Sequence, residues 1–137
     1  LQQKCLQQKC PILELGAGVG LTGLEIATQL DTQVLLTELE EGLLLLNRNV
    51  ELNKHRFFRR GIDAVQVQKF YWGDDEQCQQ ALEWYHQSIE NSGHPKKYGG
   101  SSTIPPLLIL GSDCVYFEEL HKPLELALHG LLSQLPP

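Results

Sequence analysis

The stretch Pro11-Ile12-Leu13-Glu14-Leu15-Gly16-Ala17-Gly18-Val19-Gly20-Leu21-Thr22-Gly23 constrains this chain more than any other. Ile12, Leu13 and Leu15 are apolar and suit a short buried strand. Gly16, Gly18 and Gly20 let the backbone turn sharply and come close to a ligand, because no Cβ intervenes. Leu24, Ala27 and Leu30 then recur at helical spacing over residues 21–30. A strand, a glycine loop and a helix N-terminus together make a nucleotide-type site.

Two cofactors compete for such a loop. Gly18-x-Gly20-x-x-Gly23 satisfies the dinucleotide pattern. Gly16-x-Gly18-x-Gly20, with Glu14 two residues ahead, looks instead like the first motif of S-adenosylmethionine-dependent methyltransferases. Glu14 is expected to decide between them. A carboxylate facing a pyrophosphate is repelled, whereas one facing an ammonium and a sulfonium is attracted.

A chain of 137 residues can bury a sizeable core as one domain. Its net charge of −6 argues against a nucleic-acid binder that works through a basic surface. No apolar run reaches the ~20 residues of a membrane-spanning helix. Cys5, Cys10, Cys78 and Cys114 match no zinc spacing, and the five histidines show no ligand spacing either, so no metal is expected. Without a signal peptide, reduced thiols and a cytoplasmic location, with the nucleus as second choice, are the expectation.

Residues 1–10 repeat Leu-Gln-Gln-Lys-Cys and read as a solvated lead-in; residues 11–137 read as the domain. After the first strand and helix, Gln33–Glu38 forms a second strand and Glu40–Asn53 a second helix. Its first turn carries Glu40 and Glu41, which suit the helix dipole. His55–Gly61 reads as a basic, aromatic loop. Ala64–Phe70 forms a third strand, residues 76–91 a third helix, and Asn91–Pro106 a flexible loop. The continuous apolar run Pro106–Leu110 predicts a strand buried on both faces. A helix over about 119–134 follows. This alternation predicts an α/β fold: a doubly wound parallel sheet of order 3-2-1-4 with helices on both faces. The switch point then lies between strands one and four, where ligands bind at the carboxyl ends.

That geometry gathers the candidate residues. Glu38 ends strand two at the distance from the glycine loop at which an acidic side chain accepts ribose hydroxyls. Trp72 follows strand three and offers a face to an adenine or to the methionine part of a cofactor, or serves as a core anchor. Asp113 and Tyr116 follow strand four and can both point into the cleft.

The motifs Ile12–Gly23, Thr37-Glu38-Leu39-Glu40-Glu41, Asn49 with Asn53-Lys54-His55, Trp72-Gly73 and Asp113–Glu119 resemble those of the family 16 seven-strand methyltransferases. These are S-adenosylmethionine-dependent protein-lysine methyltransferases with a Rossmann-like fold. The resemblance covers about residues 11–132. It implies that Gly16, Ala17 and Gly18 line the methionine end of the cofactor, that Glu38 holds the ribose, and that Trp72 and Ser112 flank the adenosine. Asp113 and Tyr116 match an Asp-x-x-Tyr signature near the target lysine, so they are the implied catalytic pair. Glu14 and Gly20 complete the expected cofactor set. Glu38 stands where the family usually has Asp, and residues 76–105 are longer than the corresponding connection. Strands five to seven and a segment before strand one have no counterpart in residues 1–137, so the expected fold is truncated to four strands. The implied partner is a protein carrying the target lysine, of the valosin-containing protein AAA ATPase type or a chaperone. The alternatives are a small-molecule methyltransferase and a catalytically inactive cofactor-binding fragment.

Overall fold

The computed structural model describes residues 9–57, 64–91 and 104–135. The order of elements is β1 (Ile12–Leu15), α1 (Leu21–Gln29), β2 (Val34–Glu38), α2 (Glu40–Phe57), β3 (Val65–Lys69), α3 (Asp75–Asn91), β4 (Leu108–Gly111), a 3₁₀ turn (Glu118–Leu120) and α4 (His121–Leu132). The four strands form one sheet in the order β3-β2-β1-β4. Every pairing is parallel, with Ile12 opposite Val34 and Leu108, and Val34 opposite Val65. This is the doubly wound arrangement that the alternation predicts.

Successive strand residues point to opposite faces, and the sheet sorts its core accordingly. Leu13, Leu15 and Leu35 meet Cys78, Ala81, Leu82, Trp84 and Tyr85 of α3 and Ala127 and Leu131 of α4. Ile12, Val34 and Leu36 meet Leu24 and Ala27 of α1 and Leu46 and Phe57 of α2 on the other face. The central strands β1 and β2 are therefore apolar on both sides, as parallel strands covered by helices must be. On the α3 side, the Tyr85 hydroxyl donates to the Pro105 carbonyl at 2.8 Å, which fixes the entry to β4.

Three local expectations are corrected. Helix α2 runs on to Phe57, because Phe57 is buried against the sheet and extends the apolar stripe past Asn53. His55–Phe57 is thus helix and not loop; residues 58–61 lie outside the described residues. Strand β4 is only half-buried over Leu108–Leu110, not buried on both faces. Among the described residues it pairs with β1 alone, so one edge and part of its surface lack a covering element. The final helix begins with a 3₁₀ turn and ends at Leu132. Most of the lead-in repeat and of the loop over 91–106 lie outside the described residues.

Helix α1 sits closest to the sheet at Gly23. A Cβ there would lie 2.2 Å from Leu36 Cδ2 and 2.5 Å from Glu14 Oε2. No rotamer change of a side chain as enclosed as Leu36, which is fully buried, can absorb that overlap. Gly23→Ala is expected to lower the unfolding free energy by about 1–3 kcal/mol, the usual cost of overpacking. Urea unfolding followed by circular dichroism checks it; an unchanged midpoint would mean that α1 can lift off the sheet freely.

Candidate active site

The glycine loop is tied down by β2 and α2. The Ala17 N–H donates to the Thr37 carbonyl at 2.8 Å, and the Gly20 N–H closes a turn onto the Ala17 carbonyl at 2.8 Å. The Gly18 N–H donates to Glu38 Oε2 at 2.6 Å. Asn49 Nδ2 donates to the Val19 carbonyl at 2.9 Å. Gly16, Gly18 and Gly20 all have positive φ, at 63°, 57° and 82°. L-residues rarely adopt this region, so the loop needs glycine on backbone grounds alone.

Beyond the loop lies a cleft of about 680 Å³ at the carboxyl ends of the strands. Gly16, Gly18 and Val19 come to it from the loop, and Glu38, Leu39, Gly42 and Leu45 from β2 and α2. Phe70, Tyr71 and Trp72 come from the end of β3, and Asp113, Cys114, Tyr116, Leu120 and Pro123 from the segment after β4. The switch point between β1 and β4 is therefore where the cleft opens, as the strand order requires.

Six of the expected residues meet there: Gly16, Gly18, Glu38, Trp72, Asp113 and Tyr116. Glu38 uses Oε1 to accept the Leu39 N–H at 2.8 Å and Oε2 for Gly18, and each oxygen of this cleft-lining side chain keeps a further lone pair. Trp72 is half-buried and packs on the α3 core while also lining the cleft, so it is both anchor and wall. Asp113 is exposed, with φ 54°, and Tyr116 is 63% exposed. The Tyr116 and Phe117 rings stack obliquely, 4.6 Å between centroids, at the rim.

Four expected residues lie elsewhere. Glu14 shares strand parity with Ile12, so its side chain faces α1 and not the cleft. It is 2% exposed, and Oε2 accepts the Gly23 N–H at 2.9 Å in the first turn of α1. The expectation that Glu14 decides the cofactor by facing it is therefore corrected. Ala17 is buried and works through its backbone bond to Thr37. Gly20 is the N-cap of α1, packed where a Cβ would meet Leu46 at 2.7 Å. Ser112 is exposed and off the cleft lining. Sequence reading missed Leu39, Gly42 and Tyr71. Leu39 directly follows Glu38, the last residue of β2, and Tyr71 stands two residues after Lys69, the last of β3; that nearness to the strand ends was the available signal. Gly42 leaves room for Glu38: a Cβ there would lie 2.5 Å from Glu38 Cγ.

The site fits an adenosyl cofactor. A Cβ on Gly18 would meet no protein atom within 4 Å, so the space beside it is open cleft. Glu38 and Trp72 line the same cleft. Among the described residues no cluster of His, Cys, Asp and Glu could hold a metal ion.

The chain is an α/β domain with a glycine-loop cleft at its switch point, and comparison with known proteins gives its class. The chain belongs to the lysine methyltransferase family, whose sequence profile matches residues 2–86. It is 34% identical over 122 residues to protein N-lysine methyltransferase METTL21A of Danio rerio, a match covering 89% of this chain and 44% of that protein. It is 30% identical over 132 residues to protein-lysine N-methyltransferase EFM6 of Saccharomyces cerevisiae, covering 92% of this chain and 46% of that protein. Methyltransferase-like protein 22 of Mus musculus is 39% identical over 79 residues, covering 57% of this chain and 20% of that protein. The chain thus spans less than half the length of these relatives.

Glu14 carries a pH signature. Burial pushes its carboxyl above the ordinary value, and the hydrogen bonds from Gly23 and Thr22 oppose that to a smaller extent. The folded state then holds the proton more tightly than the unfolded chain. The stability from this group is full below the unfolded value near 4.5 and is lost as pH rises through the higher folded value. Glu14→Gln keeps an acceptor for the Gly23 N–H without a buried charge. It is expected to be at least as stable as the parent at about pH 7 and to flatten the decline that sets in as pH rises above about 4.5. Glu14→Ala strands that N–H and is expected to cost about 1–3 kcal/mol. Unfolding midpoints at the two pH values measure both.

Proposed function

We propose that this chain carries the cofactor site and the lysine-facing residues of an S-adenosylmethionine-dependent protein-lysine N-methyltransferase. The observation that carries this reading is the placement of Asp113 and Tyr116 across one cleft from Gly18 and Glu38. Membership of the lysine methyltransferase family supports the reaction class. The names of METTL21A and EFM6 as protein-lysine enzymes support a protein substrate. Within that class, the motif resemblance favours an AAA ATPase of the valosin-containing protein type or a chaperone. Cys78 and Cys114 are buried thiols outside any disulfide, which favours a reducing compartment, the cytoplasm or the nucleus.

Bound S-adenosylmethionine supplies an electrophilic methyl group on a sulfonium. Glu38 accepts the ribose hydroxyls with the lone pairs left free by Gly18 and Leu39. Gly18 leaves space for the methionine end, and Trp72 walls the adenosine side. The target lysine must arrive neutral. With a reference pKa of ~10.4, deprotonation at pH 7 costs about 4.6 kcal/mol. Asp113 is an orienting acceptor for the amine N–H bonds, aiming the lone pair into the cleft, and water takes the proton. Tyr116 supplies a second oxygen and, with Phe117, an apolar wall. Such positioning contributes several kcal/mol of a barrier.

Calorimetric titration is expected to show binding of S-adenosylhomocysteine and none of NAD; the reverse would overturn the cofactor assignment. Gly18→Val is expected to abolish binding by filling the open space. Glu38→Ala is expected to cost about 1.5–3 kcal/mol in affinity, the range for hydrogen bonds to a charged group. In the full-length protein, Asp113→Ala is expected to slow turnover at least about a hundredfold, ~2.7 kcal/mol, with little change in S-adenosylhomocysteine affinity. Transfer of a radiolabelled methyl group in a lysate should label a protein band, and label confined to small metabolites would instead select a small-molecule methyltransferase.

A further inference from the structure

Helix α2 carries three asparagines whose side-chain amides behave differently. Asn47 Nδ2 donates to the Leu43 carbonyl and Asn53 Nδ2 to the Asn49 carbonyl, one turn back along their own helix. That local bond is the usual resting place for such a side chain inside a helix. Asn49 does not take it. It is half-buried and reaches out of the helix to the Val19 carbonyl at 2.9 Å. The residue before Val19 is gripped from the same β–α unit, its N–H donating to Glu38 Oε2 at 2.6 Å.

The two bonds are complementary. Glu38 accepts at one end of the Gly18-Val19 dipeptide, and Asn49 donates at the other. Glu38 sits at the end of β2 and Asn49 on the α2 face beside the loop, so two points of one rigid unit fix two consecutive residues. We infer that Asn49 is a positioning residue for the cofactor site: with Glu38 it clamps the Gly18-Val19 backbone in the conformation that leaves the cleft open beside Gly18. The inference rests on the cofactor reading above, and it adds a residue that touches neither the cleft nor the reacting atoms. Asn49 is absent from the cleft lining. Its action runs entirely through the loop.

The chemistry of the bond makes the role separable from a packing role. Val19 presents a carbonyl oxygen, so the partner must donate. Asn49→Ala removes the donor. Asn49→Asp keeps the shape but turns a carboxylate oxygen toward the carbonyl, replacing attraction with repulsion. A clamp therefore ranks Asn above Ala above Asp. A space-filling role ranks Asp above Ala, because Asp is nearly isosteric with Asn.

The test uses the full 137-residue chain with two readouts. The first needs no ligand: amide hydrogen exchange of Gly18, Val19 and Gly20. Asn49→Ala is expected to speed it roughly fivefold, the worth of one neutral hydrogen bond, and Asn49→Asp further. Asn47→Ala, which loses only an intrahelical bond, should leave these amides unchanged. The second readout is S-adenosylhomocysteine affinity, followed by the fluorescence of Trp72 on the cleft against Trp84 buried in the core. Asn49→Ala is expected to weaken it roughly fivefold and Asn49→Asp more. Unchanged exchange in both variants, unchanged affinity, or Asn49→Asp binding better than Asn49→Ala would overturn the clamp. So would loss of the folded state in Asn49→Ala with Asn47→Ala intact, since Asn49 would then be a structural anchor. A parent chain that binds no S-adenosylhomocysteine would refute the cofactor reading instead, while the exchange ranking still decides the clamp.

Discussion

A buried carboxylate under the first turn of α1 holds the two ends of the glycine loop together. Glu14 leaves the loop's entry on β1 and accepts the N–H of Gly23 at its exit. Its own backbone carbonyl accepts the Thr37 hydroxyl at 2.7 Å, and the Thr37 carbonyl accepts the Ala17 N–H. Entry, middle and exit of the loop are thus referred to β1 and β2, the two most buried strands. The N-terminal turn of a helix exposes N–H groups with a partial positive charge, which offsets part of the cost of burying an anion there. The cost does not vanish, since burial still raises the carboxyl's affinity for its proton. Burying the carboxylate carries a penalty, and an apolar residue here would carry another by leaving the buried Gly23 N–H unpaired. What the carboxylate adds is a fixed span between the loop's two ends.

From that anchor the site divides into a rigid side and an exposed side. The rigid side is the loop, Glu38 and Trp72, each held by backbone bonds or by core packing. The exposed side is Asp113, Tyr116 and Phe117, which stand on an irregular segment after an edge strand. A cofactor needs a preformed cradle, because every rotor it must order subtracts from its affinity. A protein substrate arrives from solvent, so the groups that meet it must be reachable. The distribution of burial in the cleft is the one the proposed function requires.

Fold class was readable because its signals are local and repeated. Apolar runs in β1 and β2, helical spacing in α1 and α3, and their alternation imply a parallel sheet, and a parallel sheet implies a switch point. Glu38 was readable because it ends β2, and Asp113 because it stands just after β4. Boundaries were less so: α2 outran its expected end because Phe57 finds a place against the sheet, and β4 is less covered than its unbroken apolar run suggests. Glu14 shows the limit most clearly. Its charge suggested a ligand contact, yet its parity with Ile12 turns it toward α1, and parity was visible in the sequence while the face that α1 covers was not.

The sequence by itself determined the element order, the glycine backbone conformation and the carboxylate at the end of β2, because these follow from steric freedom, periodicity and position along a strand. Tertiary structure alone decided which glycines face open space and which face packed side chains. Gly18 borders the cleft, while Gly20 and Gly23 make room for Leu46 and Leu36. All three are the same residue in one motif. Only the elements brought against them from elsewhere in the chain distinguish a place for a ligand from a place for a neighbouring helix or strand. Tertiary structure likewise joined Asn49 to Val19, a contact between helix and loop that no local pattern encodes.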